Sequence, residues 1–335
     1  SELKEIISGI ADSKVTDIDG ILMQYMYIKR AQDKEYISEK GSVNMTTPGL
    51  RRYYTEENKK LLENPLKLTA QLLKIAKIWS EIKNYSIIKL CSKFNENFKL
   101  YLISYLSRFE VDEITENLVI SFAEELLKLF SILELVDMGY SSSKFKTFLF
   151  GLNIKLVDRN ISLDEIKNDL TRHINKEWSR DDIELEALNY TKNSLVYLNE
   201  YLACKENNQR FFLPTKCEIE HIMPGSGKNI SQIREDAGIT DHDEFVEVVN
   251  KLGNKILLEE DINRSIGNSW FRSKIQNSVN ERKGYKDSRF VLTQQILSDF
   301  EGEENPLWKV QDIKERSERT AKRIAAFIFD KPEYL

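Results

Sequence analysis

The chain has 335 residues, a formal net charge of −5 at pH 7, and 41% hydrophobic and 31% charged residues. This composition supports a packed globule rather than a disordered chain, and the length allows two cores at roughly 150 residues per domain. The acidic balance argues against a general nucleic-acid coat protein, and neither a membrane-spanning run of about 18 apolar residues nor a signal peptide is visible.

Residues 1 to about 205 carry one amphipathic helical pattern after another. Apolar side chains recur at helical spacing after Pro65, a residue that suits the first turn of a helix. Ser162 and Glu165 have the spacing of a capping box, which predicts another helix start. The sequence therefore predicts a mainly α fold, in which residues 1–178 form a helical domain that serves as a scaffold or a recognition surface.

Short strand-like stretches follow this helical region. Residues 217–222 predict a first strand, and a polar loop follows it. Asp241 is expected to cap a helix, and Gly253 and Asn254 predict a tight turn before a second strand at residues 256–258. Asn263 is expected to begin a helix that also carries Ile266, Trp270, Phe271 and Ile275, and helices continue into the tail. Strand, loop, strand and helix is the order of a ββα unit. We therefore interpret residues 179–335 as a second domain, with a ββα core at about 211–285 and flanking helices.

A histidine next to a carboxylate is the strongest chemical signal in this second region. Glu220 and His221 stand shortly before Pro224, and two asparagines, Asn254 and Asn263, lie further along the chain. A neutral imidazole can accept a proton from water near pH 7, because its unperturbed pKa is about 6.5. Magnesium prefers oxygen ligands and keeps several waters, so one carboxylate and one amide can suffice. His221 is the candidate base, and Glu220 and Asn263 are the candidate ligands of Mg²⁺ or Mn²⁺.

The order of these motifs resembles that of the HNH endonucleases of the ββα-metal superfamily. More narrowly, Glu-His-Ile-x-Pro, Leu-Gly-Asn-x-x-Leu-Leu and Asn-x4-Asn-x2-Phe-x2-Lys are similar to the C-terminal nuclease family of GmrSD-type, modification-dependent restriction enzymes, over about residues 179–286. The resemblance implies a metal-dependent HNH endonuclease that hydrolyses DNA phosphodiester bonds, in restriction or phage defence against foreign or modified DNA. It also implies that Asn254 braces the histidine loop and orients the imidazole.

Each of these residues also has a purely structural interpretation. His221 could be a histidine at the end of a loop that is bonded to backbone, and Asn254 could be a turn residue. Asn263 could cap a helix, a role that asparagine often has. Many HNH enzymes have histidine at the Asn263 position and aspartate at the Glu220 position, so asparagine and glutamate are variants here.

A basic segment coincides with the end of the predicted core. Residues 264–289 contain seven lysines and arginines against two acidic residues, which gives a local charge of +5. Such a segment beside a metal site predicts contact with phosphates, although an ordinary solvated helix has the same composition. The candidates for nucleic-acid binding are Arg264, Asn268, Lys274, Arg282 and Lys283; a solvated helix face is the other interpretation of Asn268.

Two other functions remain open at this stage: a non-catalytic DNA-binding or partner-docking module with a decayed nuclease fold, and an RNase of the same fold. The resembling enzymes carry a nucleotide-binding motif in a preceding domain, and this sequence lacks that motif. The expected partners are therefore DNA and an N-terminal nucleotide-binding domain or subunit outside this chain. The chain begins at Ser1, so we interpret it as part of a longer protein, and its three cysteines without paired spacing predict a cytoplasmic location.

Overall fold

The computed structural model describes residues 2–12, 15–56, 61–239, 241–276 and 282–330. The chain is mainly helical, with 63% helix and two short strands in this part, so the mainly α fold class is confirmed. Contacts between residues divide it into two compact units, Ser1–Glu177 and Trp178–Leu335. No described helix combines the length and the apolar character that crossing a membrane requires.

The first unit is built mainly of helices, with an isolated antiparallel bridge between Ile37 and Val43, and local sequence signals explain where its helices start. The α-helices are α1 (Glu2–Ala11), α2 (Ile18–Gln32), α3 (Leu50–Tyr54), α4 (Pro65–Ile82), α5 (Ser86–Cys91), α6 (Phe98–Leu106), α7 (Glu116–Leu135), α8 (Phe148–Leu156) and α9 (Leu163–Glu177), with a 3-10 turn at Val111–Glu113 and a π-helical turn at Ser143–Thr147. Pro65 stands in the first turn of α4, and the Asn64 side chain accepts the N–H of Lys67 at 3.0 Å. Ser162 Oγ accepts the N–H of Glu165 at 3.1 Å where α9 begins. Both predicted helix starts are confirmed.

The core of the first unit holds large aromatic side chains between these helices. Trp79 on α4 and Tyr101 on α6 are both fully buried. The Trp79 indole N–H donates to the side chain of Gln24 on α2 at 2.7 Å. Because this polar group keeps a hydrogen bond inside the core, its burial carries little penalty.

The second unit combines helices with the two strands. Its elements are α10 (Arg180–Asn189), α11 (Ser194–Glu206), β1 (Cys217–His221), α12 (Ile230–Ala237), α13 (His242–Val249), β2 (Lys255–Glu259), α14 (Glu260–Ile266), α15 (Phe271–Gln276), α16 (Val291–Asp299) and α17 (Val310–Ile328), with 3-10 turns at Leu252–Asn254 and Tyr285–Asp287. Strands β1 and β2 are antiparallel and place His221 opposite Lys255. Ile256, Leu257 and Leu258 of β2 are fully buried. Because β2 is buried on both faces and pairs with β1, it holds His221, at the end of β1, in a fixed position.

The turn before β2 depends on Gly253. A Cβ atom at this position would lie 2.2 Å from the carbonyl oxygen of Ile313 and 2.6 Å from the backbone nitrogen of Ser317, both in α17. The Gly253 N–H donates to Ser317 Oγ at 3.1 Å. The predicted tight turn is confirmed, and the close approach of the α17 backbone explains why it needs glycine.

The helix that carries Asn263 differs from the sequence prediction. Helix α14 begins at Glu260, directly after β2, so Asn263 lies inside it and is not its cap. The helix ends at Ile266, the following residue Gly267 has a φ of +49°, and α15 is a separate helix. The prediction of one helix that begins at Asn263 and reaches Ile275 is wrong, because glycine interrupts the helical path and the strand runs straight into α14.

Glu200 on α11 gives the second unit a pH-dependent stability. Its buried carboxylate accepts the backbone N–H groups of Val291 and Leu292, at the start of α16, at 2.6 and 3.1 Å. Burial raises the pKa of Glu200 to about 7, although these hydrogen bonds act in the opposite direction. The pKa in the folded state is therefore higher than in the unfolded chain. Its contribution to stability is complete below the unfolded pKa and is lost as the pH rises through about 7.

We expect the free energy of unfolding to fall by up to about 3 kcal/mol from this group as the pH rises from about 4 to about 8. Glu200→Gln removes the titration, so its stability should depend less on pH; its single amide oxygen can replace only one of the two carboxylate oxygens that accept these N–H groups, so the variant should also be less stable at low pH. Urea unfolding of both proteins across this range measures the difference. Equal pH dependence in the two proteins would assign the effect to other groups.

Candidate active site

His221 lies at the end of β1 and faces a cavity of about 480 Å³. Glu220 of the same strand, Asn250 at the end of α13, and Asn263 and Asn268 also line this cavity. The folding of β1 against β2 and α14 thus brings the candidate base and both candidate metal ligands to one pocket. Asn268 reaches it from the segment after α14.

The environment of His221 keeps its imidazole neutral. Burial, together with the ammonium groups of Lys255 and Lys274, lowers the pKa of His221 to about 4, while a hydrogen bond with the Asn250 side chain acts in the opposite direction. The ammonium of Lys255 is held nearby by the carbonyl oxygen of Thr191 at 2.5 Å. At pH 7 the imidazole therefore has a nitrogen lone pair that can accept a proton.

Glu220 is a buried carboxylate with a buried counterion. Its Oε1 accepts hydrogen bonds from Lys274 Nζ at 2.5 Å and from the Tyr285 hydroxyl at 3.0 Å, and Oε2 takes part in neither contact. Burial raises the pKa of Glu220 and lowers the pKa of Lys274, while the attraction between them opposes both changes. At this separation we describe the two groups as a charged pair, because each ion alone would be costly to bury.

Lys274 is not placed for the role that the sequence predicts. Its side chain is 1% exposed, and besides Glu220 it donates to the carbonyl oxygens of His221 at 2.9 Å and Ile222 at 3.1 Å. An ammonium with three internal acceptors is not placed to reach a phosphate at the surface, so these contacts do not support its predicted role in nucleic-acid binding. Phe271, one helical turn before Lys274, is also buried, so this face of α15 points into the interior of the unit.

Asn254 is fully buried and holds the segment that follows His221. Its Oδ1 accepts the N–H of Met223 at 2.8 Å and the indole N–H of Trp308 at 3.0 Å. Its Nδ2 donates to the carbonyl oxygens of Met223 at 2.9 Å and Val249 at 2.8 Å. These four bonds fix the backbone two residues after His221, as the bracing role requires. The role in orienting the imidazole stays a prediction.

Asn263 and Asn268 present side-chain amides at the pocket. The Asn263 Nδ2 donates to Glu218 Oε2 at 2.6 Å, and Asn268, which is exposed, donates to Ser226 Oγ at 3.4 Å. Over the described part of the chain, no group of three or more histidine, cysteine, aspartate or glutamate side chains could hold a metal ion. The carboxylate of Glu220 and the amide oxygen of Asn263, which both line the pocket, are instead the kinds of ligand that a hard divalent cation binds while it keeps several waters.

The remaining basic candidates lie beside α14. Arg264 forms an ion pair with Glu260, and Lys283 Nζ lies 2.5 Å from Asp261 Oδ2. Arg282 is exposed, whereas residues 277–281 between it and α15 lie outside the described part. Exposed ion pairs of this kind contribute little, so these cations can exchange a carboxylate for a phosphate. Their role in nucleic-acid binding stays a prediction.

Sequence reasoning missed four residues that surround the site: Glu218, Asn250, Lys255 and Tyr285. One of them had a usable signal, because Glu218 stands two residues before Glu220 and therefore on the same face of a strand. Tyr285 reaches Glu220 only through tertiary packing. The pairing of Lys255 with His221 requires the register of the sheet, which the sequence does not specify.

Residues 160–323 match a family model described as "GmrSD restriction endonucleases, C-terminal domain". Searches of curated proteins and of solved structures gave no match. The matched segment contains the strands β1 and β2 and helix α14. It also contains every residue that lines the pocket around His221.

Proposed function

Because residues 160–323 match the family model of GmrSD restriction endonuclease C-terminal domains, we propose that this chain is a metal-dependent HNH endonuclease that hydrolyses DNA phosphodiester bonds. In this proposal β1, β2 and α14 are the ββα-metal core, and the enzyme acts in restriction or phage defence against foreign or modified DNA. The observation that carries it is the single pocket that contains Glu220, His221 and Asn263.

His221 accepts the proton of the attacking water in this mechanism. Its low pKa leaves the imidazole unprotonated at neutral pH, and Asn250 holds the ring by a side-chain hydrogen bond. Asn254 keeps the next backbone segment in place through both polar atoms of its amide. A positioned general base of this kind contributes about 10²–10⁴-fold to the rate.

Glu220 and Asn263 are the residues that hold Mg²⁺ or Mn²⁺ in the proposal, through a carboxylate and an amide oxygen. The bound ion supplies charge neutralisation at the phosphate and at the leaving oxygen. Lys274 and Tyr285 contact Oε1 of Glu220, so these two residues orient the carboxylate that would bind the ion. The ammonium of Lys274 also offsets part of the negative charge of this carboxylate.

The most direct test is incubation of the chain with supercoiled plasmid and with structured RNA, each with Mg²⁺, Mn²⁺ or a chelator. The proposal predicts plasmid nicking or linearisation that the chelator stops. Cleavage of RNA alone would favour the RNase alternative. DNA binding without cleavage under every condition would favour a non-catalytic module. Modified and unmodified plasmids, with and without a nucleotide-binding partner domain, then test the role in restriction.

The exposed basic residues beside α14 should determine how DNA affinity depends on salt. Reversing the charge of Arg282 and Lys283 to glutamate should weaken binding and lower the slope of log affinity against log salt, since each phosphate contact contributes about 0.9 on duplex DNA. The matched control is the same reversal at Lys74 and Lys77 in the first unit, where both lysines form exposed ion pairs. Binding titrations over a range of salt concentrations measure both. Equal losses of DNA affinity in the two variants would indicate that the first, helical unit also contacts the DNA.

A further inference from the structure

Glu218 carries a carboxylate that contacts Asn263, one of the two proposed metal ligands. It lies two residues before Glu220, so both side chains leave the same face of β1. Its Oε2 accepts a hydrogen bond from Asn263 Nδ2 at 2.6 Å. Asn263 lines the pocket, whereas Glu218 contacts it from outside the lining residues.

The chemistry of this contact allows one orientation of the Asn263 amide. An ionised carboxylate has acceptors and no donors, so it binds the NH₂ end of an amide and repels the carbonyl end. Reversing the amide would place two acceptors at 2.6 Å from each other without a proton between them. A hydrogen bond to a charged acceptor is also about twice as strong as one between neutral groups. Glu218 therefore fixes the nitrogen of Asn263 on its own side and leaves Oδ1 at the opposite end of the amide, directed away from Glu218.

We propose that Glu218 is a positioning residue that sets the Asn263 amide so that its carbonyl oxygen faces a divalent cation in the pocket. This inference rests on the proposed function, because it assigns a partner to one of the proposed ligands. Asparagine differs here from the histidine or aspartate of other metal sites, since only one end of its amide can bind a cation. A site that uses asparagine needs a group that selects that end.

Calorimetric titration of the whole chain with Mn²⁺, without DNA, tests this role in four variants. Removing an outer partner of a metal ligand typically weakens metal binding about 10–100-fold, so Glu218→Ala should weaken it by about this factor. Glu218→Gln should retain most of the affinity, because its amide oxygen can accept the same N–H. Asn263→Ala should weaken binding at least as much as Glu218→Ala, and the double alanine variant should be no weaker than Asn263→Ala alone.

The matched control is Asp261→Ala, which removes an exposed carboxylate from the same helix and should leave Mn²⁺ affinity unchanged. Thermal unfolding checks that each variant is folded. Additive losses in the double variant would make Glu218 an independent ligand and overturn the inference, as would equal losses from Glu218→Gln and Glu218→Ala. If Asn263→Ala weakens Mn²⁺ binding and Glu218→Ala does not, this inference is overturned while the proposed function stands. Unchanged binding in Asn263→Ala as well would remove Asn263 from the metal site and contradict the proposed function.

Discussion

His221→Ala should reduce DNA cleavage by about 10²–10⁴-fold, the usual effect of removing a general base. The imidazole is neutral and half-buried at the pocket, so its loss removes the proton acceptor while the strands and Asn254 keep their contacts. DNA affinity and the unfolding temperature should change little, because His221 carries no charge at neutral pH. Single-turnover cleavage of plasmid with saturating Mg²⁺ measures the rate, and a filter-binding titration measures the affinity.

His242 provides the matched control for this experiment. It is a second histidine at the same pocket, but it is exposed at the start of α13. His242→Ala should keep cleavage within a few-fold of the unmodified chain, since surface substitutions rarely have large effects. Near-complete activity in His221→Ala, or a large loss confined to His242→Ala, would assign the base to a different residue and contradict the HNH mechanism.

Lys274→Ala should destabilise the second unit by about 3–5 kcal/mol, the usual result of removing one partner of a buried ion pair. The substitution leaves the Glu220 carboxylate buried without its counterion and removes the donor to the carbonyl oxygens of His221 and Ile222. Cleavage should be lost as well, because these contacts hold the end of β1. Urea unfolding measures the stability, with plasmid cleavage as the second readout.

Two further variants separate the ion pair from a general effect on α15. Arg272→Ala on the same helix removes an exposed side chain that contacts Asn305. It should therefore lower the free energy of unfolding much less than Lys274→Ala does. The double variant Glu220→Gln with Lys274→Met neutralises both partners and should recover part of the stability without recovering cleavage. If Lys274→Ala lowers the free energy of unfolding no more than Arg272→Ala does, the buried ion pair does not stabilise this unit.

Local signals in the sequence predicted much of the fold. Pro65 starts α4, and Asp241 accepts the N–H of Glu244 at 2.8 Å as the expected cap of α13. Such caps depend on residues within a few positions of one another, so the sequence alone reveals them. The second predicted strand also forms, because its three consecutive apolar residues need burial on both faces.

Tertiary packing decided what the sequence could not specify. Lys274 looked like a surface cation from its basic neighbours, yet the fold buries it against Glu220. Gly253 looked like a turn residue, yet the backbone of α17 is what excludes a side chain there. The motif order indicated Glu220, His221 and Asn263 as one site, and all three line one pocket. Their catalytic and metal-binding roles remain predictions.

A crystal structure of the chain soaked in Mn²⁺ tests the central claim most directly, because the anomalous signal of manganese locates the ion without any assumption about activity. The account predicts one ion in the pocket beside His221, bound by the Glu220 carboxylate and the carbonyl oxygen of Asn263, with waters completing its coordination. Ordered manganese that contacts neither Glu220 nor Asn263, or an empty pocket at saturating Mn²⁺, would contradict it.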